Sequence, residues 1–363
     1  GQASGQELEV GLFRRVPEEE AFPEIPEGPR LPVVSPLEVD PARVGMDEKA
    51  LERVDLLLLA AVADSATPGA ALAVGRRGKL VRLRGYGGLD WGEHSPPATP
   101  SSLWDMASVT KVSATTTAAM MLVESGRVGL DAPVVRYLPW WGAGDPRKEK
   151  VTVRQLLLHR AGLPPFKRFF LEMEGKEAYK RAIAELPLEY EPGDSTVYSD
   201  IGLMTVAFIV EEVTDTELDT FVKTRIWDPL GMGDTGFNPD PALLSRIAPT
   251  EVDTTFRFTH VHGVVHDENA FAMGGVAGHA GLFSSARDMA VLVMEPLRGG
   301  NLAKKPPKEV QSIWDQSGHR WTAVEWALRW ILNQPEITVV LSGMNKEAQV
   351  RENLRIASEA RAH

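Results

Sequence analysis

The strongest constraint on the fold comes from residues 112–125, which follow a helical pattern. Small and apolar residues recur at helical spacing, at Ala114, Ala118, Met121 and Leu122. One face of this helix is therefore expected to pack against a core. Ser108 and Lys111 lie at or near its first turn, three residues apart. Side chains at that spacing project from one face of a helix, which brings an amine within hydrogen-bond reach of a hydroxyl.

This pair has the chemistry of a nucleophile and its base. A serine hydroxyl attacks an ester or amide only when a neighbouring group takes its proton, and a helix N-terminus favours developing negative charge. A helix cap followed by a solvated lysine gives the same spacing by chance. The catalytic interpretation of Ser108 and Lys111 therefore depends on partners elsewhere in the chain.

Composition excludes several classes of protein. The chain has 363 residues, a formal net charge of -11 and no cysteine. The acidic balance and the absence of a basic stripe argue against nucleic acid as a partner. The lack of cysteine rules out disulfides, thiolate metal sites and a cysteine nucleophile. No apolar run approaches transmembrane length and the N-terminus has no signal-like segment, so we expect no membrane partner. A cytoplasmic location and export with the signal already removed both stay open.

The first part of the chain predicts an arm, a helix and a hairpin. Prolines at 17, 23, 26, 29, 32 and 36 forbid a continuous helix, which predicts an extended arm over residues 1–36. A leucine-rich helix is predicted over 46–63. Two apolar runs, 70–74 and 80–86, flank a Gly-Arg-Arg-Gly turn and predict a β-hairpin. A loop rich in Pro, Ser and Gly then leads to Ser108.

Two further segments carry candidate catalytic side chains. Residues 151–164 predict a short helix that ends at a glycine and a proline, with His159 near its end. A histidine that contacts the last helix carbonyls is favoured there over a catalytic imidazole. Tyr198 precedes an apolar helix predicted over 201–213. A nearby ammonium would favour its phenolate and make it a base. The alternative is a tyrosine packed at a domain edge with its hydroxyl bonded to backbone.

A histidine cluster and a glycine-rich segment lie further along. The spacing of His260, His262 and His266 resembles an H-x-H zinc motif, but the further ligands that zinc needs show no pattern downstream. We therefore expect a polar surface loop and no metal. The glycines of residues 274–285 permit close backbone approach, either to a ligand cleft or to a neighbouring strand, before a helix that begins at Ala286.

Six segments together resemble the serine β-lactamase and penicillin-binding-protein superfamily over about residues 37–293. They are Pro-Gly-Ala-Ala at 68–71, Ala-Ser-Val-Thr-Lys at 107–111, Leu-Leu-Leu-His-Arg-Ala-Gly-Leu-Pro at 156–164, Tyr-Ser-Asp at 198–200, Asp-Pro-Leu-Gly-Met at 228–232, and residues 278–288. The likeness is to the branch that holds class C-like β-lactamases, D-alanyl-D-alanine carboxypeptidases and family VIII carboxylesterases. It implies an α/β (α+β) fold of the β-lactamase/transpeptidase type, an antiparallel sheet flanked by helices plus a helical subdomain.

The resemblance also implies roles for individual residues. Ser108 would be acylated, Lys111 would be its proton partner and Tyr198 the second general base. Ser199 and Asp200 occupy the places of the family's Tyr-x-Asn loop, and Asp200 departs from the commoner asparagine. A carboxylate there would repel the acid group of a β-lactam or peptide substrate, which favours neutral esters.

The family's third motif, Lys or His followed by a small residue and Gly, is not found in its usual place. His279, Ala280 and Gly281 fit the letters, but by alignment they belong to the earlier loop at the mouth of the cleft, where we expect them to bind substrate. The strand that carries the third motif also supplies one of the two oxyanion-hole amides. Without a replacement, turnover is expected to fall roughly a hundredfold to a thousandfold.

The chain changes character at about Val293. Residues 294–363 resemble the last β/α units of an aldo-keto reductase barrel. A quarter of a barrel cannot close a sheet or enclose a nicotinamide, so we expect no redox activity and no cofactor. We infer a chimera in which this β/α fragment replaces the C-terminal part of the hydrolase. A strand at 339–343 is one source of the missing amide.

These observations predict a carboxylesterase that cleaves short-chain acyl esters through an acyl-enzyme on Ser108, with a small-molecule ester as its partner. The alternative within the class is a β-lactamase or a D-alanyl-D-alanine carboxypeptidase. The alternative outside it is a catalytically weak or inactive chimera with a binding role, in which exposed apolar helix faces of the tail favour a homo-oligomer.

Overall fold

The computed structural model describes residues 31–294. Most of the predicted N-terminal arm, and the aldo-keto-reductase-like fragment with its predicted strand at 339–343, lie outside the described residues. Between residues 31 and 294 the chain has a mixed α/β fold of antiparallel sheets and helices, which confirms the predicted fold class.

The elements of this range are as follows. The strands are β1 (Val33–Val34), β2 (Gly69–Arg76), β3 (Lys79–Gly87), β4 (Leu103–Asp105), β5 (Gly236–Phe237), β6 (Val252–Asp253), β7 (Thr259–His260) and β8 (Leu282–Ser285). The α-helices are α1 (Glu48–Ala63), α2 (Thr117–Glu124), α3 (Val153–Leu157), α4 (Lys176–Glu185), α5 (Asp200–Thr214), α6 (Leu218–Val222), α7 (Asp228–Leu230), α8 (Glu268–Ala272) and α9 (Ala286–Met294). None of the described helices combines the length and the hydropathy that a membrane crossing requires.

Shorter helical segments complete this range. Two have π geometry, Lys111–Thr116 and Lys223–Trp227. Six are 3-10 helices, Pro41–Val44, Val134–Arg136, Pro139–Gly142, Pro146–Lys150, Phe169–Leu171 and Pro241–Arg246. The predicted helix over 46–63 is confirmed as α1.

The predicted hairpin is confirmed as β2 and β3, which pair antiparallel. Its turn residues, Arg77 and Gly78, have φ values of 52° and 68°. Positive φ at both central positions gives a turn whose twist matches that of the two strands. Val33 and Val34 pair with the other edge of β3, so the predicted arm contains a short strand near its end. Helix α1 packs against β3.

A second sheet positions the segment that contains Ser108. Its strand order is β4-β8-β5, with β8 antiparallel to both neighbours. No strand was predicted within the glycine-rich segment, but residues 282–285 at its end form β8, and all four are buried. A strand this short has no periodicity of its own, and its partners are supplied by distant parts of the chain. Strand β4 ends at Asp105, three residues before Ser108.

Helix α5 is the centre of the main hydrophobic core. Every residue from Ile201 to Val210 is buried, which confirms the helix predicted over 201–213. The helix predicted over 112–125 is only partly confirmed, because its first half, Lys111–Thr116, has the wider turns of a π-helix and only the second half is α2. Both halves pack against α5. Wide turns of this kind are often found at functional sites, and hydrophobic spacing alone does not distinguish them from α-helix.

Candidate active site

Ser108 lies in a tight turn between β4 and the π-helical segment. The residue before it, Ala107, has a φ of 44°, which is uncommon for a residue other than glycine. The Asp105 carboxylate holds this turn, because it accepts hydrogen bonds from the backbone amides of Ala107 at 2.8 Å and His266 at 2.7 Å. Burial raises the pKa of Asp105, and these two amide donors oppose that rise. The turn leaves the side chain of Ser108 exposed to solvent.

Lys111 is the buried centre of the site, only 4% exposed. Its Nζ lies 2.7 Å from Ser108 Oγ, 2.7 Å from Asp200 Oδ1 and 3.1 Å from the backbone carbonyl of His279. The carboxylate and the carbonyl only accept hydrogen bonds, whereas a hydroxyl can donate or accept. Two positions of the tetrahedral nitrogen are therefore committed to hydrogens. The third faces Ser108 and can either donate a hydrogen to the hydroxyl or accept one from it.

Tyr198 completes the group of three predicted catalytic residues. Lys111 Nζ lies 4.8 Å from the centroid of the Tyr198 ring, and Tyr198 is 42% exposed. Among residues 31–294 its hydroxyl has no hydrogen-bond partner. The structure thus brings Ser108 and Tyr198 close to the same lysine nitrogen.

Asp200 begins helix α5, and its position is set by the residue before it. Ser199 caps the helix, because its Oγ accepts from the Gly202 amide at 3.3 Å and donates to the Pro164 carbonyl at 2.7 Å. The cap directs the Asp200 carboxylate to Lys111. The side chain of Asp200 is 18% exposed, so it borders the site. Its predicted contact with substrate stays a prediction.

The predicted substrate-binding residues of the glycine-rich segment are all buried. His279 is 1% exposed and Ala280 3%, and Gly281 is also buried. His279 Nε2 lies 2.8 Å from Asp267 Oδ1, and the backbone carbonyl of His279, not its imidazole, reaches Lys111. Their role in substrate binding stays a prediction.

Asp267 was missed by the sequence analysis. Burial acts to raise the pKa of its carboxyl, but the charge and the hydrogen bond of His279 outweigh burial and lower the pKa to about 2. Asp267 also caps helix α8, accepting from the Ala270 amide at 2.7 Å. An acidic residue just before a short helix was the only available signal, and it indicates a cap, not a partner for a histidine.

His159 has contacts beyond the one expected. We predicted contact with the last carbonyls of its own helix, and its backbone amide donates to the Leu156 carbonyl at 3.1 Å. In addition, its Nδ1 accepts a hydrogen bond from the backbone amide of Ser199 at 3.0 Å, and its ring packs on Tyr198 with 4.6 Å between centroids. The φ of His159 is 55°, so the chain reverses at this residue and leaves the axis of α3. A reversal of this kind depends on contacts with a distant loop and has no local sequence signal.

The three neighbouring histidines have different polar partners, and the one of His260 Nε2 is Asp90 Oδ2 at 3.9 Å. His262 Nε2 lies 3.1 Å from the Leu244 carbonyl and 2.9 Å from the Ile247 carbonyl. His266 Nε2 lies 3.0 Å from Glu251 Oε1. No group of three or more potential metal ligands is found in the part of the chain that the structure describes.

The backbone amide of Ser108 is a candidate oxyanion donor. Within residues 31–294 the backbone amide of Ser108 has no hydrogen-bond partner, and it lies at the start of a helical run. An amide at that position is suited to stabilise developing negative charge on a substrate carbonyl oxygen. The second donor, predicted at 339–343, lies outside the described residues.

Comparison with known proteins gives the class of this fold and site. The family model described as Beta-lactamase matches residues 54–344, a range that runs past the predicted boundary at 293. A Salmonella enteritidis PT4 protein named "Putative D-alanyl-D-alanine carboxypeptidase" is 32% identical over 323 residues, covering 81% of this chain and 74% of its own length. A protein of the same name from Salmonella schwarzengrund is 34% identical over 290 residues, covering 72% of this chain and 67% of its own length.

Two solved structures show the same fold. EstCE1, a hydrolase with promiscuous acyltransferase activity, aligns with a TM-score of 0.57 at 23% identity, over 69% of this chain and 72% of its own. The octameric penicillin-binding protein homologue from Pyrococcus abyssi aligns with a TM-score of 0.56 at 25% identity, over 69% of this chain and 56% of its own. The chain belongs to the β-lactamase family, whose members are serine hydrolases.

Proposed function

We propose that this protein is a carboxylesterase that cleaves short-chain acyl esters through an acyl-enzyme on Ser108, in the class C-like and family VIII branch of its family. The observation that carries the proposal is the contact of Lys111 with both Ser108 and Asp200, each at 2.7 Å. It supports a serine beside an amine that can take its proton, with a carboxylate placed to balance the ammonium that forms.

The reaction follows from the contacts of Lys111. Ser108 Oγ forms a bond to the ester carbonyl carbon while its proton passes to Lys111 or to the nearby Tyr198. The tetrahedral oxyanion accepts a hydrogen bond from the Ser108 amide. Collapse breaks the bond to the alcohol, which leaves with the proton. Water then forms a bond to the carbonyl carbon of the acyl-serine while its proton passes to Lys111 or Tyr198. The bond to Ser108 Oγ breaks, this oxygen takes the proton back, and the carboxylic acid is released.

The charge of the site favours a neutral substrate. Lys111 becomes a cation when it takes the serine proton, and the Asp200 carboxylate beside it neutralises that charge. A substrate carboxylate placed near Ser108 would therefore meet a balanced pair, and the nearest anion would repel it. A simple ester has no charge to place there and needs few binding contacts.

The test is hydrolysis of p-nitrophenyl acetate and butyrate by the full chain and by Ser108→Ala. We expect the variant to lose turnover. Ser125→Ala is the matched control, because Ser125 is an exposed serine at the far end of the same helical run. Turnover by Ser108→Ala equal to that of the unmodified protein would refute the assignment of the nucleophile.

A D-alanyl-D-alanine carboxypeptidase is the second candidate, supported by the names of relatives that are 32% and 34% identical. It would release D-alanine from a peptide that ends in two D-alanines and would be acylated by a labelled penicillin at Ser108. Faster release of D-alanine than of p-nitrophenol at equal substrate concentration would favour this function over the esterase. A β-lactamase would instead hydrolyse the penicillin.

A further inference from the structure

We propose that His159 is a positioning residue that holds Tyr198 and the start of helix α5 against Lys111; the inference rests on the proposed function. His159 acts through the loop of residues 191–200, which carries two of the groups around Lys111.

Three contacts join His159 to this loop. Its backbone carbonyl accepts from the Val197 amide at 2.9 Å, its Nδ1 accepts from the Ser199 amide at 3.0 Å, and its ring packs on the intervening Tyr198. One residue thus contacts three consecutive residues of the loop. The residue after them is Asp200, the partner of Lys111.

The backbone conformation of His159 allows these contacts. Its φ of 55° lies in the left-handed region, which is unfavourable for a residue other than glycine. A cost of that kind persists only where surrounding contacts offset it, and such residues cluster at functional sites. Here the conformation turns both the carbonyl and the imidazole toward the loop.

Tyr198 depends on this support. It is 42% exposed, and within the described range its hydroxyl has no hydrogen-bond partner. Its ring contacts Lys111 on the catalytic side and His159. Without the imidazole, the ring loses an aromatic neighbour that limits its rotation away from the lysine.

The start of α5 depends on the imidazole nitrogen. Ser199 is only 3% exposed, so its amide has little access to water. Removing the Nδ1 acceptor leaves a buried donor unpaired, which favours a shift of the loop. A shift there moves Asp200, the residue that orients Lys111 toward Ser108. Misplacement of about 1 Å is enough to slow catalysis strongly.

The experiment compares His159→Gly, His159→Asn and His159→Gln in ester hydrolysis by the full chain. Glycine relieves the backbone and removes both side-chain contacts. The amide oxygen of asparagine reaches about as far as Nδ1, and asparagine tolerates positive φ. The amide of glutamine extends to the place of Nε2, so it does not restore the acceptor for Ser199.

We expect His159→Gly to lower kcat at least about tenfold with KM little changed, since the substrate's own contacts are kept. His159→Asn should recover most of this loss and His159→Gln should not. A kcat for His159→Gly within about twofold of the unmodified protein would overturn the proposal. Equal values for the asparagine and glutamine variants would overturn it as well, and that comparison stands even if the glycine variant fails to fold.

Ser108→Ala separates this inference from the proposed function. If that variant loses turnover while the His159 variants keep it, only the role of His159 is refuted. If Ser108→Ala keeps turnover, the proposed function itself is refuted.

Discussion

Lys111 Nζ and Asp200 Oδ1 lie 2.7 Å apart, the same distance that separates Lys111 Nζ from Ser108 Oγ. The lysine that faces the nucleophile therefore has a carboxylate as its partner, where members of the resembled family more often have an asparagine amide. A carboxylate in place of an amide changes the net charge of the site by a full unit. This charge affects substrate selectivity, because it repels anionic substrates and acts little on neutral ones.

Replacing Asp200 with asparagine should shift selectivity toward acidic substrates. The amide oxygen still accepts from Lys111, but the negative charge is gone. We expect the ratio of kcat/KM for p-nitrophenyl hydrogen succinate to that for p-nitrophenyl acetate to rise about fivefold to tenfold at low ionic strength, and less in high salt. Asp194→Asn, an exposed acid on the same loop, is the control. An unchanged ratio would show that Asp200 does not act on substrate charge.

The pairing of Asp267 with His279 should make stability depend on pH. The folded pKa of Asp267, about 2, lies below its ordinary value of 3.8, so the unfolded chain binds more protons between those values. The stabilisation is fully present above about pH 4 and is lost as the pH falls toward 2. It amounts to about 2 kcal/mol at pH 6 and about half of that at pH 3. Urea unfolding of the unmodified protein and of Asp267→Asn at both pH values measures it. A stability difference between the two proteins that does not shrink on acidification would contradict this account.

Replacing Gly278 with alanine should damage both stability and catalysis. A Cβ at that position would lie 2.3 Å from the Leu203 carbonyl and 2.6 Å from the Ala207 Cβ, both on α5. We expect a loss of about 1 to 3 kcal/mol in the free energy of unfolding. Because the next residue, His279, provides the carbonyl that binds Lys111, kcat should fall too.

Gly233→Ala is the matched control for that variant, since a Cβ there meets nothing within 4 Å. Thermal unfolding and ester hydrolysis are measured on both variants. Equal behaviour of the two would mean that the segment around Gly278 adapts without cost.

Much of the architecture could be predicted because it depends on neighbours in sequence. Helix α5 was found from its apolar residues, and the β2-β3 hairpin from its Gly-Arg-Arg-Gly turn. Strand β8 was missed because four residues are too few to show a period. The π geometry of Lys111–Thr116 was missed because hydrophobic spacing is almost the same in α- and π-turns.

The candidate site was only partly predictable. Ser108, Lys111, Tyr198 and Asp200 were named from short motifs, and the structure brings all four together. The pairing of Asp267 with His279 and of His159 with Ser199 had no sequence signal, because each joins residues from different turns and loops.

What the sequence determined by itself was the set of reactive groups and the helices and hairpin that carry them, because spacing and turn chemistry act over a few residues. The tertiary structure decided which charges and hydrogen bonds these groups share. It joined Lys111 to Asp200 and turned His159 to the loop that holds Tyr198. Such contacts are selected by the packing of the whole chain, since a buried donor or charge is stable only with a partner, and folding alone brings that partner to it.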